Sequence, residues 1–367
     1  MKFKSDRKAL SDAFSVVGGI VPTRSVKPVL QHVKIIADGR GVELFGTDLE
    51  ISLRYRLDEV DVEREGMIVL PASRLNAILR EIADNDVTLD VDGQTCQVVC
   101  ESSFFKLLGW EAEEFPEIAP LPEAGGFEVA ADTFREMIKK TAFAAAREKT
   151  RYALNGVLLR IGGSSIEMVA TDGRRLARFV VPVENPEGTE RQALLPVKGL
   201  TQLEKLVRPD EEMITLHFEE NMVGIRTASA ELSVRQVEGS FPDFEEVIPK
   251  AYESRVTATA GAFCSALRKA SIMTSEDTRA VQIQFSEGNA EFSSRSTDVG
   301  ESKIELPTAI DGKNQDVSFN PDFLLEGLRV LPDDGEFHLD LTDRTSPGRI
   351  SHGDEYTYVV MPINIEG

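Results

Sequence analysis

The residues best suited to chemistry are a carboxylate followed closely by two guanidinium groups, Asp172, Arg174 and Arg175 in the segment ATDGRRLA. Such a group could support phosphoryl transfer, because cations stabilise the charge that develops on phosphoryl oxygens. The Thr-Asp pair also occurs at residues 47–48 and 297–298, each time after a strand-like segment, whereas an active site is needed only once. We therefore favour turns in which Asp48, Asp172 and Asp298 accept backbone N–H bonds. A phosphoryl-transfer or nucleotide-processing enzyme is the alternative.

Other sequence motifs for catalysis or cofactor binding are missing. The chain has no GxGxxG, GxxxxGK[ST] or GxSxG segment, and its four histidines are isolated from cysteine and from one another. The three cysteines, Cys96, Cys100 and Cys264, are too few for a disulfide framework, and we interpret them as reduced packing residues. We predict a protein without catalytic activity, metal or cofactor.

The elements that carry these residues recur with a period of about one third of the chain. The Thr-Asp pairs at residues 47–48, 171–172 and 297–298 are 124 and 126 residues apart, and a proline that opens an amphipathic segment recurs every 125 residues, at Pro71, Pro196 and Pro321. Pro71 and Pro196 suit the first turn of a helix. Helical spacing and strand-like alternation predict two helices and several strands in each unit. The fold class is therefore α+β, with three repeated domains at residues 1–123, 124–252 and 253–367.

The charge is unevenly distributed over these elements. The 367 residues include 62 acidic and 41 basic side chains, a net charge of −21, which alone argues against binding to polyanions. The six predicted helices nevertheless carry +7, leaving −28 on the strands and loops. A basic helical layer could attract phosphates without reading bases. An acidic scaffold that binds only proteins is the second alternative. No apolar run is long enough to span a membrane, and the start MKFKSDRKAL does not resemble a signal peptide, so we expect a cytoplasmic protein.

Several segments, taken in order, resemble the family of bacterial sliding clamps, the beta subunits of DNA polymerase III. They are the start MKF, VPTRSVKPVL around Arg24, GTDLE at 46–50, RYALNG at 151–156, ATDGRRLA at 170–177, FPDF and VIPK within 241–250, and YVVMP at 358–362. The resemblance implies the DNA clamp fold, with two helices packed on antiparallel sheets in each domain. It also implies a head-to-tail ring dimer around duplex DNA that has no catalysis of its own.

The family resemblance also implies partners and sites. The partners would be double-stranded DNA, encircled without sequence preference, the replicative polymerase, the clamp loader, other polymerases and repair proteins, and a second copy of the chain. Positions implied for DNA binding are Arg24, Arg74, Arg147, Lys149 and Lys198. A pocket for short peptide motifs would be formed by Leu154, Thr171, Gly173, Arg174, Arg175, Leu176, Pro242, Val247, Val359, Val360, Met361 and Pro362.

The implied dimer interface joins the first domain of one subunit to the third domain of the other. It would use Phe105 and Leu107 on one side, and Ile272 and Met273 on the other, although ordinary core packing would also explain these residues. Two departures from the family pattern are Glu245 and Glu246, where basic residues are expected, and the tail IleAsnIleGluGly. We therefore expect a preference for less acidic peptides.

Overall fold

The structure is a computed structural model that describes residues 1–101, 103–148, 153–185, 188–207, 212–274, 279–296 and 299–364. Its α-helices are α1 (Arg7–Gly18), α2 (Ala72–Glu81), α3 (Ala131–Thr141), α4 (Val197–Leu206), α5 (Ala260–Ser271) and α6 (Pro321–Leu328). Its strands are β1 (Lys2–Asp6), β2 (His32–Asp38), β3 (Gly41–Thr47), β4 (Ile51–Leu57), β5 (Val60–Arg64), β6 (Gly66–Pro71), β7 (Asp86–Asp92), β8 (Thr95–Val99), β9 (Phe104–Leu108), β10 (Phe127–Ala130), β11 (Gly156–Gly162), β12 (Ser165–Thr171), β13 (Arg175–Pro182), β14 (Arg191–Pro196), β15 (Met213–Phe218), β16 (Met222–Arg226), β17 (Ala230–Arg235), β18 (Ser254–Thr259), β19 (Val281–Ser286), β20 (Asn289–Ser296), β21 (Gly300–Pro307), β22 (Ala309–Gly312), β23 (Gln315–Phe319), β24 (Glu336–Leu341), β25 (Gly348–His352) and β26 (Tyr356–Val360).

The chain forms two compact units, one of Met1–Phe134 with Lys198–Gln236 and the other of Arg135–Val197 with Val237–Gly367. The first unit contains a five-stranded sheet in the order β5-β1-β7-β8-β9 and an eight-stranded sheet in the order β10-β15-β16-β17-β4-β3-β2-β6. The second contains a nine-stranded sheet, β14-β11-β12-β13-β26-β25-β24-β18-β22, and a four-stranded sheet, β21-β20-β19-β23. The segment predicted as the central domain contributes to both units.

Local sequence explains the helices and strands. Asp6 caps α1 by accepting a hydrogen bond from Ala9 N at 2.7 Å, and the helix buries Leu10, Phe14 and Val17. Alternating side chains in β2 are buried, as expected for a strand with one face on the core. All paired strands in the described residues are antiparallel, from β1 with β5 to β25 with β26. The α+β prediction with antiparallel sheets is confirmed.

The same pairing of strands from two successive sequence repeats, called a joint below, occurs once in each unit. In the first, β4 follows the Thr47-Asp48 turn and pairs with β17, so that Leu53 lies opposite Leu232. In the second, β13 follows the Thr171-Asp172 turn and pairs with β26, with Leu176 opposite Val359. Each joint thus connects a strand after the Thr-Asp turn of one sequence repeat to the last strand of the following repeat. The large sheets are continuous across these joints.

Three details of the helix prediction are wrong. Pro71 and Pro196 are the last residues of β6 and β14, and each helix begins one residue later. Helical spacing predicts a helix at residues 130–151, but α3 ends at Thr141 and a 3-10 turn (Ala142–Ala144) follows it. Within the observed bounds the six helices hold eleven Lys and Arg and seven Asp and Glu, a net charge of +4 instead of +7. The basic layer is therefore weaker than the sequence indicates.

Candidate functional site

Of the Thr-Asp pairs that mark the repeats, those at residues 47–48 and 171–172 lie in the described residues and form the same turn. Oδ1 of Asp48 accepts hydrogen bonds from Glu50 N and Ile51 N at 3.0 and 2.7 Å. Oδ1 of Asp172 likewise accepts from Arg174 N and Arg175 N, at 2.9 and 3.1 Å. The structural interpretation of these two carboxylates is confirmed, while Thr297 and Asp298 lie outside the described residues.

The threonine of each turn also has a fixed role. The Thr47 hydroxyl donates to Ile51 O at 3.0 Å, and the Thr171 hydroxyl donates to Arg175 O at 2.6 Å. The residue two positions after each threonine has a positive φ, 76° at Leu49 and 86° at Gly173. Glycine tolerates this conformation, whereas leucine is strained in it.

Arg175 is buried by ion pairs and aromatic rings. Its Nε donates to Asp172 Oδ2 at 3.0 Å, one terminal nitrogen pairs with Glu326 of α6, and the other donates to Phe143 O at 3.1 Å. The guanidinium carbon lies 4.6 Å from the centre of the Phe323 ring. The charged group of Arg175 is therefore bound to internal partners, whereas its neighbour Arg174 is exposed. The same contacts weaken the phosphoryl-transfer alternative.

An apolar cavity of about 230 Å³ opens beside this turn in the second unit. Ten of the twelve predicted pocket residues line it, and Asp243 and Phe244 join them. The ten are Leu154, Thr171, Gly173, Arg174, Arg175, Leu176, Pro242, Val247, Val359 and Met361. Val360 and Pro362 do not line it; the side chain of Val360 is fully buried in the last strand, β26.

The floor of the cavity is continuous with the core. Leu176, Phe244 and Val359 belong to one buried cluster, whereas Val247 and Met361 at the mouth are 51% and 42% exposed. A cavity of this size and composition accepts one or two apolar side chains rather than a whole metabolite. A larger cleft of about 560 Å³, lined by residues such as Arg160, Arg178 and Arg191, is polar and open. The apolar cavity is the better candidate for an anchored side chain.

Two lining residues escaped the sequence analysis although a signal for them existed. Asp243 and Phe244 are the last residues of FPDF, one of the segments that carry the family resemblance. Phe244 contributes its buried ring, and Asp243 contributes an exposed carboxylate that accepts a hydrogen bond from Glu245 N at 3.3 Å. The 3-10 turn Glu245–Val247 then brings Val247 to the mouth.

The predicted DNA-binding residues are dispersed over several elements. Arg24 lies in an exposed loop, Arg74 is exposed on α2, and Arg147 is exposed beyond the 3-10 turn that follows α3. Lys198, near the start of α4, forms an ion pair with Asp48. Lys149 lies outside the described residues. The Asp48 carboxylate thus offsets the charge of Lys198, which the sequence analysis did not foresee.

The four predicted interface residues lie near sheet edges. Phe105 and Leu107 are half-buried on β9, the edge strand of the five-stranded sheet, where they face Val98 and Cys96 of β8. Ile272, just after α5, is 69% exposed, and Met273 is half-buried. Core packing therefore accounts for part of the surface of Phe105, Leu107 and Met273, and leaves Ile272 uncovered within the described chain.

The remaining sequence predictions concern thiols, metals and membranes. Burial raises the pKa of Cys96 to about 12, so its thiol stays protonated. Among the described residues, no group of three or more His, Cys, Asp or Glu side chains is placed to hold a metal ion. No helix in the described parts of the chain is long and apolar enough to cross a membrane.

Repeated α+β domains joined sheet to sheet, with an apolar cavity beside one joint, define a clamp fold. Models of the N-terminal, central and C-terminal domains of the DNA polymerase III beta subunit match residues 1–119, 128–243 and 245–364. The chain therefore belongs to the family of DNA polymerase III beta subunits, and the family resemblance seen in the sequence is confirmed.

Relatives along the whole chain agree with this assignment. The beta sliding clamp of Pseudomonas aeruginosa is 30% identical, and that of Streptomyces coelicolor 29% identical, each covering 100% of both chains. The DNA polymerase sliding clamp of Bacillus subtilis superposes with a TM-score of 0.94 at 25% identity over 99% of both chains. The Pseudomonas aeruginosa clamp bound to griselimycin gives 0.93 at 29% identity over 100% of both chains.

Proposed function

We propose that two copies of this chain form a ring that encircles duplex DNA and keeps the replicative polymerase on its template. The ring is a non-catalytic processivity factor that acts in the cytoplasm. A clamp loader opens and places it, and other polymerases and repair proteins bind it through short apolar segments. Retention on DNA comes from encirclement, so that a tight grip on the phosphates is unnecessary.

The repeated joint is the observation that carries this proposal. The Thr-Asp turns at residues 47–48 and 171–172 are each followed by a strand that pairs with the last strand of the following repeat, as β4 pairs with β17 and β13 with β26. The strand after the third Thr-Asp pair is β21, and the last strand of the first repeat is β9. Both are edge strands of their sheets. A second copy supplies the missing partner for each, and two head-to-tail joints of this kind close a ring.

The predicted interface residues fit that closure. Phe105 and Leu107 belong to β9, while Ile272 and Met273 follow α5, which packs on β21. Exposed side chains on β9 include Lys106, and those on β21 include Glu301, Glu305 and Lys303, which pairs with Glu291. The two edges thus offer apolar groups and charges of opposite sign, which favour the pairing of these two edges.

The proposed contact with DNA is electrostatic and weak. Arg24, Arg74 and Arg147 are exposed, and the helices carry a net charge of +4 in a chain of net charge −21. Lys198 contributes less, because Asp48 lies against it. A surface of this kind meets phosphates without reading bases, which suits a ring that slides.

The apolar cavity is the proposed docking site for polymerase and loader. Val247 and Met361 are exposed at its mouth above a buried floor, so an anchoring side chain can enter without rearranging the core. Val360 and Pro362 do not line the cavity but flank Met361 in the sequence.

Primer extension by the cognate polymerase, with clamp loader and a single-stranded circular template, tests this function. Val247→Asp and Met361→Asp place a charge at the mouth and should shorten the products to those made without the clamp. Met213→Asp, at a methionine that is 47% exposed outside the cavity, is the matched control and should support long products. Long products with both cavity variants would contradict the assignment.

A further inference from the structure

The mouth of the apolar cavity carries an exposed carboxylate. Asp243 lies on the lining, and its carboxylate accepts a hydrogen bond from the backbone N–H of Glu245. Glu246 follows in the same exposed segment. Neither carboxylate forms an ion pair with a described residue. The 243–246 segment therefore places negative charge beside the apolar cavity.

Two neighbouring cationic side chains, Arg160 and Arg175, already form ion pairs within the chain. Arg160 pairs with Glu245 at 2.9 Å and also with Glu167, so it neutralises one member of the acidic segment only. Arg175 is held by Asp172 and Glu326. Among described lining residues, Arg174 is the exposed cation whose guanidinium has no ion-pair partner, and it belongs to the turn rather than to the acidic segment.

We propose that the mouth of the cavity selects partner peptides in which a lysine or arginine lies next to the apolar anchoring side chain, on the flank of the peptide that is close to Asp243. The inference rests on the proposed function of the cavity as a peptide site. An incoming cation finds Asp243 without an internal competitor, whereas an incoming carboxylate at that position meets a like charge. Asp243 is thus a specificity-determining residue, and Glu246 strengthens the same preference.

Fluorescence anisotropy with synthetic peptides tests the preference. The probes are fluorescein-labelled nonapeptides with a central Leu-Leu anchor in an alanine background, carrying Lys, Ala or Glu before the anchor, or the same residues after it. When the variable residue lies on the flank close to Asp243, the Lys peptide should bind about two- to fivefold more tightly than the Ala peptide, which is the range of an exposed ion pair. The Glu peptide should bind more weakly than the Ala peptide. The difference should shrink at high salt.

Variants assign the preference to its residue. Asp243→Asn should remove most of the advantage of Lys over Ala, and Asp243→Asn with Glu246→Gln should remove the rest. Glu287→Gln deletes the same charge from an exposed hairpin residue that does not line the cavity, and it should keep the wild-type order. Equal binding of all three probes on both flanks, or a Lys preference that survives Asp243→Asn, would overturn the inference.

Failure of the underlying function gives a different result. If the cavity is not a peptide site, Val247→Asp leaves the affinity of the Ala peptide unchanged or no probe binds at all. If only the charge preference is wrong, all probes bind, Val247→Asp weakens them equally, and the flanking residue has no effect.

Discussion

Asp172 accepts a hydrogen bond from the Nε atom of Arg175 at 3.0 Å, and the same guanidinium pairs with Glu326 of α6. This contact ties the turn that lines the cavity to a helix of the C-terminal repeat. Asp48 forms a comparable pair with Lys198 at the start of α4. In both units, therefore, the carboxylate of the Thr-Asp turn organises its own backbone through one oxygen and holds a cation with the other.

Removing the Arg175 side chain should destabilise the protein. Arg175→Ala leaves Asp172 and Glu326 without their cation and removes the group that stacks on Phe323, so we expect a loss of about 2–4 kcal/mol. Arg174→Ala, next to it but exposed, should change the free energy of unfolding by less than about 0.5 kcal/mol. Urea unfolding measures the free energy of unfolding of both variants. Equally small losses in the two would show that the ion pairs of Arg175 contribute little to stability.

The strained residue of the first turn offers a stabilising substitution. Leu49 has φ 76° and is 50% exposed, while Gly173 occupies the equivalent place in the second turn. Leu49→Gly should gain about 0.5–1 kcal/mol, because relief of the left-handed strain exceeds the added chain entropy. Leu49→Ala keeps the strain and serves as the control. Thermal unfolding measures both, and a lower melting temperature for Leu49→Gly than for Leu49→Ala would refute the prediction.

Acid sensitivity should trace in part to Asp340. Burial alone would raise the pKa of this carboxyl, but hydrogen bonds from Arg255 and Arg349 outweigh it, and the pKa lies below its usual value. The stabilisation is therefore complete above about pH 4, the value for the unfolded chain, and is lost as the pH falls through the lowered value. Asp340→Asn should cost about 3 kcal/mol at pH 7.

Urea unfolding of wild type and Asp340→Asn at several pH values checks this linkage. The difference between them should be constant from about pH 7 to 5 and should narrow below about pH 4. A difference that stays the same down to pH 2 would mean that the Asp340 carboxylate does not carry the effect.

Truncation of apolar side chains in the proposed interface should convert the dimer into monomers. Phe105→Ala together with Met273→Ala removes apolar surface from both edges of the joint, and light scattering should then give the mass of one chain. Met213→Ala, at an exposed methionine outside both edges, should remain dimeric. Circular dichroism confirms that each variant is folded. A double variant that stays dimeric would remove these residues from the interface.

Periodicity made much of the fold predictable. Recurrence of Thr-Asp and of the prolines identified three repeats, and alternation in segments such as β7 located strands, because one buried face imposes a period of two. Helix ends were less accessible: nothing in the local pattern at 142–151 reveals that α3 stops at Thr141. Compact units of two discontinuous segments depend on long-range pairing, which a local pattern does not encode.

The cavity was predictable where short motifs supply its walls, as with Gly173, Leu176 and Met361. The ion pairs of individual charged side chains were not predictable, because their partners are distant in sequence. Glu326 is 151 positions from Arg175, and Asp48 is 150 positions from Lys198. Local sequence therefore shows where the basic residues lie along the chain, but does not show which of them form ion pairs within it.

Retention on circular DNA tests the central claim most directly. The chain is loaded by the cognate clamp loader onto nicked circular DNA, excess protein is removed by gel filtration, and the DNA is then cut once. A topological ring should remain on the circle at high salt and should leave through the ends after cutting. Equal retention on the circular and linear forms, or no retention on either, would contradict encirclement.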